Sequence, residues 1–313
     1  MNNFDRIKKL FTKDGMYYSV YWGLKFFKLD GFLDDSAYVK LQYRCYTGRK
    51  LNLKDPQLFS EKICWMKLND HNPLYNILVD KLKVKDYVAA RIGVEYVIPT
   101  LQVWDKPDDI SIESLPDKFV LKDTNGGNNN GVVICRDRSC FNLADAIAKL
   151  KKSFNTNMYM AGREWPYRDA GKKIIAEAYL EDVKTKELRD YKFFCFDGQV
   201  RALFVGTDRQ SKDGVKFDFF DAEYNYLPII NGHPNASVPP EKPEAFELMK
   251  QIASNLSKGI PQVRVDLYEV NGEVYFGEMT MFHHNGTCLM KPLEWEYKFG
   301  QWFDLSKIII NNE

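Results

Sequence analysis

The sequence predicts an α+β fold built from antiparallel strand pairs that single helices separate. Two observations carry this. From residue 96 onward, short apolar runs alternate with Pro- and Gly-rich turns, and several pair off across tight turns such as Asp197-Gly198. Single amphipathic stretches stand between the pairs, unlike the strict strand–helix alternation of a doubly wound sheet. No internal repeat or low-complexity tract interrupts the pattern.

Residues 1–50 are expected to be helical and are unusually aromatic. Phe4, Phe11, Tyr17, Tyr18, Tyr21, Trp22, Phe26 and Phe27 interleave with Lys8, Lys9, Lys13, Lys25 and Lys28. Such stripes more often pack as a helical layer on the body of a protein. Lysines among aromatics also suit peripheral membrane contact through residues 1–30. Ser60 is expected to cap the next helix, and a further helix runs over residues 76–90, ended by Gly93. Strands follow at residues 97–99, 101–104, 118–122 and 132–135, the last two joined by a Gly/Asn loop over residues 123–131. Asn142, with Asp145 three residues on, opens a helix to residue 154. A strand at 173–180, a hairpin of strands 191–196 and 199–205, and a helix at 244–256 lead to a last hairpin.

Length and charge narrow the function. The 313 residues suffice for two or three packed units. With 44 Lys+Arg against 43 Asp+Glu, the total charge gives no reason to expect a nucleic-acid partner. Six scattered cysteines lack a Cys-x-x-Cys pair and four histidines lack metal-ligand spacing, which argues against a zinc enzyme. The start resembles no secretory signal, and no apolar window is long enough to span a bilayer. A cytoplasmic location is the expectation.

The last hairpin holds the most informative cluster. Arg264-Val265-Asp266 lies on its first strand and Glu278 on its second. Two carboxylates from neighbouring strands, with an arginine beside them, are the parts needed to hold Mg²⁺ on a nucleotide's phosphates. Strand parity constrains that reading. A two-residue Asn271-Gly272 turn pairs Val270 with Glu273 and Asp266 with Gly277 and leaves the carboxylates on opposite faces. A three-residue loop with a bulge at Gly272 puts them on one face, so an odd-length loop is expected. An exposed hairpin decorated with charges is the plain alternative.

Lys122 precedes the loop that carries Gly126 and Gly127, whose backbone N–H groups can turn toward an anion. Ordinary turn chemistry is the competing reading. Glu177 ends an apolar strand next to Ala178 and Leu180; with the backbone groups beside it the carboxylate can read an adenine edge, and an ordinary edge-strand Glu is the competing reading. His283, His284 and Asn285 follow the Glu278 strand; a neutral His there could position or deprotonate a nucleophile, or simply pack a loop. Serine and cysteine nucleophile motifs are missing.

In order and spacing, Lys122, the Gly-rich hairpin, Glu177, Arg264-Val265-Asp266 and Glu278 resemble the ATP-grasp fold, in particular its D-alanine–D-alanine ligase branch. The wider wording is similar to the TupA-like ATP-grasp family, named for teichuronopeptide synthesis in bacterial cell-surface polymers. It is carried by residues 55–62, Asp80-Lys81, Tyr87-Val88, 119–122, Asp190-Tyr191-Lys192-Phe193, 264–268 and 276–278. The resemblance implies a helical region over residues 1–95, a subdomain over 96–178 with the flap, and one over 179–313 with the metal site. It implies ATP and Mg²⁺ as cofactors. Lys122, Gly126, Gly127, Glu177, Ala178, Leu180 and Lys192 would bind ATP, Asp266 and Glu278 the metal, and Arg264 and Arg209 would be catalytic. His283, His284 and Asn285 would face substrate. Thr280 stands where the family often has Asn. The implied activity is carboxylate–amine ligation through an acylphosphate, joining a small amine to a carboxylate-bearing sugar or glycan in polysaccharide biosynthesis at the inner face of the membrane. A kinase on a hydroxyl substrate and a non-catalytic nucleotide-binding scaffold are the alternatives.

Overall fold

A computed structural model describes residues 15–127, 131–168, 170–183, 188–208 and 214–308. Two sheets carry the fold. Strands β1 (Thr100–Trp104), β2 (Phe119–Asp123), β3 (Val132–Cys135) and β4 (Ile174–Ala178) form the first, in the order β1-β4-β2-β3. Strands β5 (Asp190–Phe196), β6 (Gln199–Thr207), β7 (Lys216–Asp221), β8 (Tyr226–Leu227), β9 (Val263–Val270) and β10 (Glu273–Thr280) form the second, in the order β10-β9-β5-β6-β7-β8. All these pairings are antiparallel.

The helices are α1 (Gly15–Phe26), α2 (Asp35–Thr47), α3 (Phe59–Asn69), α4 (Leu74–Leu78), α5 (Lys83–Ile92), α6 (Leu143–Phe154), α7 (Met158–Gly162), α8 (Phe246–Ser257) and α9 (Glu294–Trp302). Ala146, Leu150 and Ser153 repeat at helical spacing along α6, and this stripe lies against Phe119 and Leu121 of the first sheet. The second sheet is covered on both faces. On one, α8 sets Phe246 against Phe193, ring centroids 6.1 Å apart. On the other, Phe59 of α3 and Phe299 of α9 sit 6.0 and 5.1 Å from Phe194. Strand β5 is therefore buried along its whole length, and each such phenylalanine stabilises the fold by about 1.5–3 kcal/mol.

Three local expectations need correction. Ser60 is not a cap: α3 starts one residue earlier, Glu61 Oε2 accepts the Gln57 and Leu58 N–H groups, and Ser60 N–H donates to Glu296. The helix expected over 76–90 is two helices, because the Asp80 carboxylate accepts the N–H groups of Leu82 and Lys83 and restarts the chain as α5. Asn142 does cap α6, its side chain accepting from Asp145 N–H.

The third correction decides the site. The β9–β10 loop is the two-residue turn Asn271-Gly272, with φ of 53° and 86°, and Val270 pairs with Glu273. No odd-length loop is present. The register shifts inside β10 instead: Phe276 pairs with Leu267 and Glu278 with Asp266, leaving Gly277 as the extra residue of a bulge. The bulge puts Asp266 and Glu278 side by side. A Cβ on Gly277 would lie 3.0 Å from both Asp266 O and the Tyr268 ring. Gly277→Ala is therefore expected to cost about 1–3 kcal/mol in urea unfolding, as overpacking does; an unchanged midpoint would remove the steric ground for glycine there.

Candidate active site

A cleft of about 470 Å³ between the sheets is lined by one charged cluster directly and reached by a second through Glu278. The first stands on β2, β4 and α5. Lys122 alternates with the buried Phe119–Leu121–Asp123 side of β2, so it turns to the cleft, and Glu177 of β4 shares that face diagonally. Lys85 Nζ lies 2.6 Å from Glu177 Oε1 and Lys122 Nζ 2.5 Å from Glu177 Oε2. Glu177 is only 4% exposed. Burial works to raise its carboxyl, but the two lysines outweigh burial and hold it below the usual range. Lys85 is oriented further by Ile98 O and Thr100 Oγ1, at 2.8 and 2.6 Å.

The second cluster stands on β9, β10 and β5. Arg264 grips Asp266 with two bonds, Nε to Oδ1 at 2.7 Å and Nη2 to Oδ2 at 2.8 Å. Its Nη2 also reaches Thr280 Oγ1 at 2.9 Å and Glu278 Oε1 at 3.3 Å. Lys192 pairs with Asp266 and lies 3.4 Å from Asp190. Behind the guanidinium, Arg264 Nη1 donates to His283 Nδ1 at 2.9 Å, since arginine has no lone pair to accept with. That fixes the tautomer: His283 Nε2–H donates to Asn231 Oδ1 at 2.8 Å, while Asn231 Nδ2 donates to Cys288 O. Burial, with His284 and Arg264 nearby, drives the His283 pKa well down, so the ring is neutral.

Glu278 connects the two clusters. It lines the cleft with Lys81, Lys85 and Lys122, and its side chain is 44% exposed. Enclosure opposes its ionisation, but Lys192, Lys81 and Arg264 outweigh that effect and bring its pKa to about 2. Because the folded value lies below the ordinary carboxylate range, Glu278 contributes stability above about pH 4.3 that is lost as pH falls toward 2. A carbon-detected NMR titration should show no Glu278 midpoint near pH 4; one there would refute the cation balance. Two carboxylates on one face, one of them open to a cation-rich cleft, fit a hard ion that takes its other oxygens from phosphate and water. Among the described residues no group of three or more His, Cys, Asp or Glu could hold a metal by itself.

The remaining residues divide. Leu180 lines the cleft, with no protein partner for its backbone among the described residues. Ala178 N–H is committed to Pro99 O at 3.0 Å. In this structure the partners of Glu177 are Lys85 on one oxygen and Lys122 on the other. Gly126 and Gly127 do not line the cleft; Cβ atoms there would meet Ser153 Oγ at 2.8 Å and Met158 Cε at 2.7 Å. The loop's first half is held by Lys81, whose Nζ donates to Gly126 O at 2.6 Å. His283 faces the back of Arg264, and His284 is neutral, its pKa lowered to about 4 chiefly by burial. Asn285 accepts from buried Lys67 and donates to Gln42 Oε1 at 2.9 Å, so it ties the site to the helical layer. Arg209, residues 1–14 and residues 128–130 lie outside the described residues.

Sequence reasoning assigned no role to Lys81 or Lys85. Lys85 lies in the first turn of α5 whereas Lys81 precedes the helix, so no helical spacing announced the pair.

Several solved structures are similar to this chain. One is a D-alanine–D-alanine ligase from Bacillus anthracis complexed with ATP, at 16% identity and a TM-score of 0.43, covering 74% of this chain and 65% of that one. Another is D-cycloserine synthetase DcsG, at 20% identity and a TM-score of 0.42, covering 74% and 70%. A third is N5-carboxyaminoimidazole synthetase from Staphylococcus aureus complexed with ADP, at 15% and 0.38, covering 67% and 46%. The chain thus spans less than two thirds of the Bacillus anthracis ligase. No curated protein sequence matches it. The model of the TupA-like ATP-grasp family matches residues 61–304, which include both charged clusters, and the chain belongs to that family.

Proposed function

We propose that this protein is an ATP-dependent carboxylate–amine ligase that joins a small amine to the carboxyl group of a sugar acid or glycan, in the building or modification of a cell-surface polysaccharide. The observation that carries the reading is the convergence of Lys81, Lys85 and Lys122 with Glu278 in one cleft, with Arg264 and Asp266 directly behind. The three lysines supply cations for a triphosphate, and the apolar wall of Val97, Ile98 and Phe276 suits a purine. The backbone of Leu180, without a partner among the described residues, offers the donor and acceptor an adenine edge needs. Asp266 and Glu278 would hold Mg²⁺, which, when bound, neutralises charge on the phosphate oxygens.

The chain's own groups account for the rest. Arg264 is held by Asp266, Thr280 and His283, so its positive charge is fixed before substrate arrives. A fixed cation in a site of low water content favours charge that develops during reaction. The substrate carboxylate attacks the terminal phosphorus and ADP leaves; the amine then attacks the acyl carbon, phosphate leaves, and the nitrogen gives up a proton. Lys192, buried and paired with Asp266 and Asp190, holds the Asp266 carboxylate from its other side.

The test is a screen of sugar acids and amines for release of ADP and phosphate. Release that needs both a carboxylate and an amine, with hydroxamate formed when hydroxylamine replaces the amine, is the expected result. ADP without free phosphate, together with a phosphate ester, would identify a kinase instead.

A further inference from the structure

The helical layer at the start of the chain carries a surface that the candidate site does not use. Helix α1 contains a single charged residue, Lys25, and it turns inward, with Nζ 2.7 Å from both Asp30 Oδ2 and Met160 O. Tyr18 and Tyr21 fill the inner stripe. The outer side is apolar as well. Phe26, Phe27 and Phe32 are 81%, 68% and 86% exposed, and Val20 is 46% exposed. A helix that is apolar all round belongs in a core or against lipid, and just at its end the Phe26 and Phe27 rings, centroids 5.1 Å apart, form an exposed aromatic pair of the kind that marks a contact surface.

Charge selects the occupant. Residues 1–50 hold ten Lys or Arg against five Asp and no Glu, whereas the rest of the chain holds 34 against 38. In the described part of this stretch, residues 15–50, six Lys or Arg stand against three Asp, and exposed Lys28 directly follows Phe27. A partner with an acidic surface and an apolar interior is complementary to both features. Trp22 and Tyr17, partly exposed and polar-tipped, suit the headgroup level of a bilayer. No described helix is long and apolar enough to cross a membrane, so the contact lies in the interface plane.

We infer that the outer face of α1, with Phe26, Phe27 and Phe32, docks the protein on an anionic lipid surface. This rests on the layer alone and is independent of the ligase reading. The full chain should float with vesicles of equal parts phosphatidylcholine and phosphatidylglycerol, not with phosphatidylcholine alone, and added salt should weaken the association. A Phe26→Ser, Phe27→Ser double variant should lower the bound fraction at least about tenfold while its thermal melt stays at the wild-type midpoint, because both side chains are exposed. Four results would overturn the inference: no flotation; equal flotation on both vesicles; a wild-type dimer that the double variant turns into monomer; or flotation that appears only after residues 1–14 are removed. The last two would assign the face to a second copy or to the chain's own first residues.

Discussion

Asp266→Asn is expected to lower turnover by about 10²–10³-fold, the scale seen when one preorganised group is removed from a reaction centre, and to destabilise the fold by about 3–5 kcal/mol. Both effects have one cause. Asp266 is 1% exposed and accepts two bonds from Arg264 and one from Lys192. The amide keeps the shape but removes the negative charge, so two enclosed cations face each other without their counter-ion. Urea unfolding separates the stability effect from the catalytic one, which is read as ADP release at saturating substrate under conditions where the variant is folded. A variant as stable as wild type would show that Asp266 does not hold the cluster together.

Glu177→Gln has the second large effect, with an unusual sign. Lys85 and Lys122 both end on this carboxylate, and each is less than one fifth exposed. Without it the nucleotide-free protein should lose up to about 3 kcal/mol, because two half-buried ammonium groups are left to repel. The phosphates of ADP supply the missing negative charge, so ADP should raise the melting temperature of the variant more than that of wild type. If Glu177 instead reads the adenine edge, the variant would keep its nucleotide-free stability and lose ADP affinity. Thermal melts of both proteins, with and without ADP, distinguish the two cases.

Much of this site was legible in the sequence, and its gaps have physical reasons. Lys122, Glu177, Arg264, Asp266 and Glu278 were found because strand parity and strand ends are local properties. The bulge at Gly277 was not, because a register slip within a strand depends on the pairing partner and not on the strand's own residues. Parity pointed to the right outcome by the wrong device. The partner of Glu177 on α5 was missed for a related reason: Lys85 reaches β4 only through the tertiary packing of a helix 92 residues earlier. His283 looked like a candidate base because imidazole titrates near neutrality. Full burial between Arg264 and Asn231 removes that capacity and leaves a hydrogen-bonding support. In the fold, Asn142 announced its helix, whereas Asp80 broke one that composition made continuous, through two backbone bonds invisible to periodicity.

A crystal structure with Mg²⁺ and a non-hydrolysable ATP analogue tests the central claim most directly. The phosphates should lie against Lys85 and Lys122, and the ion should take one oxygen each from Asp266 and Glu278. A nucleotide seated outside this cleft, or an ion touching neither carboxylate, would contradict it.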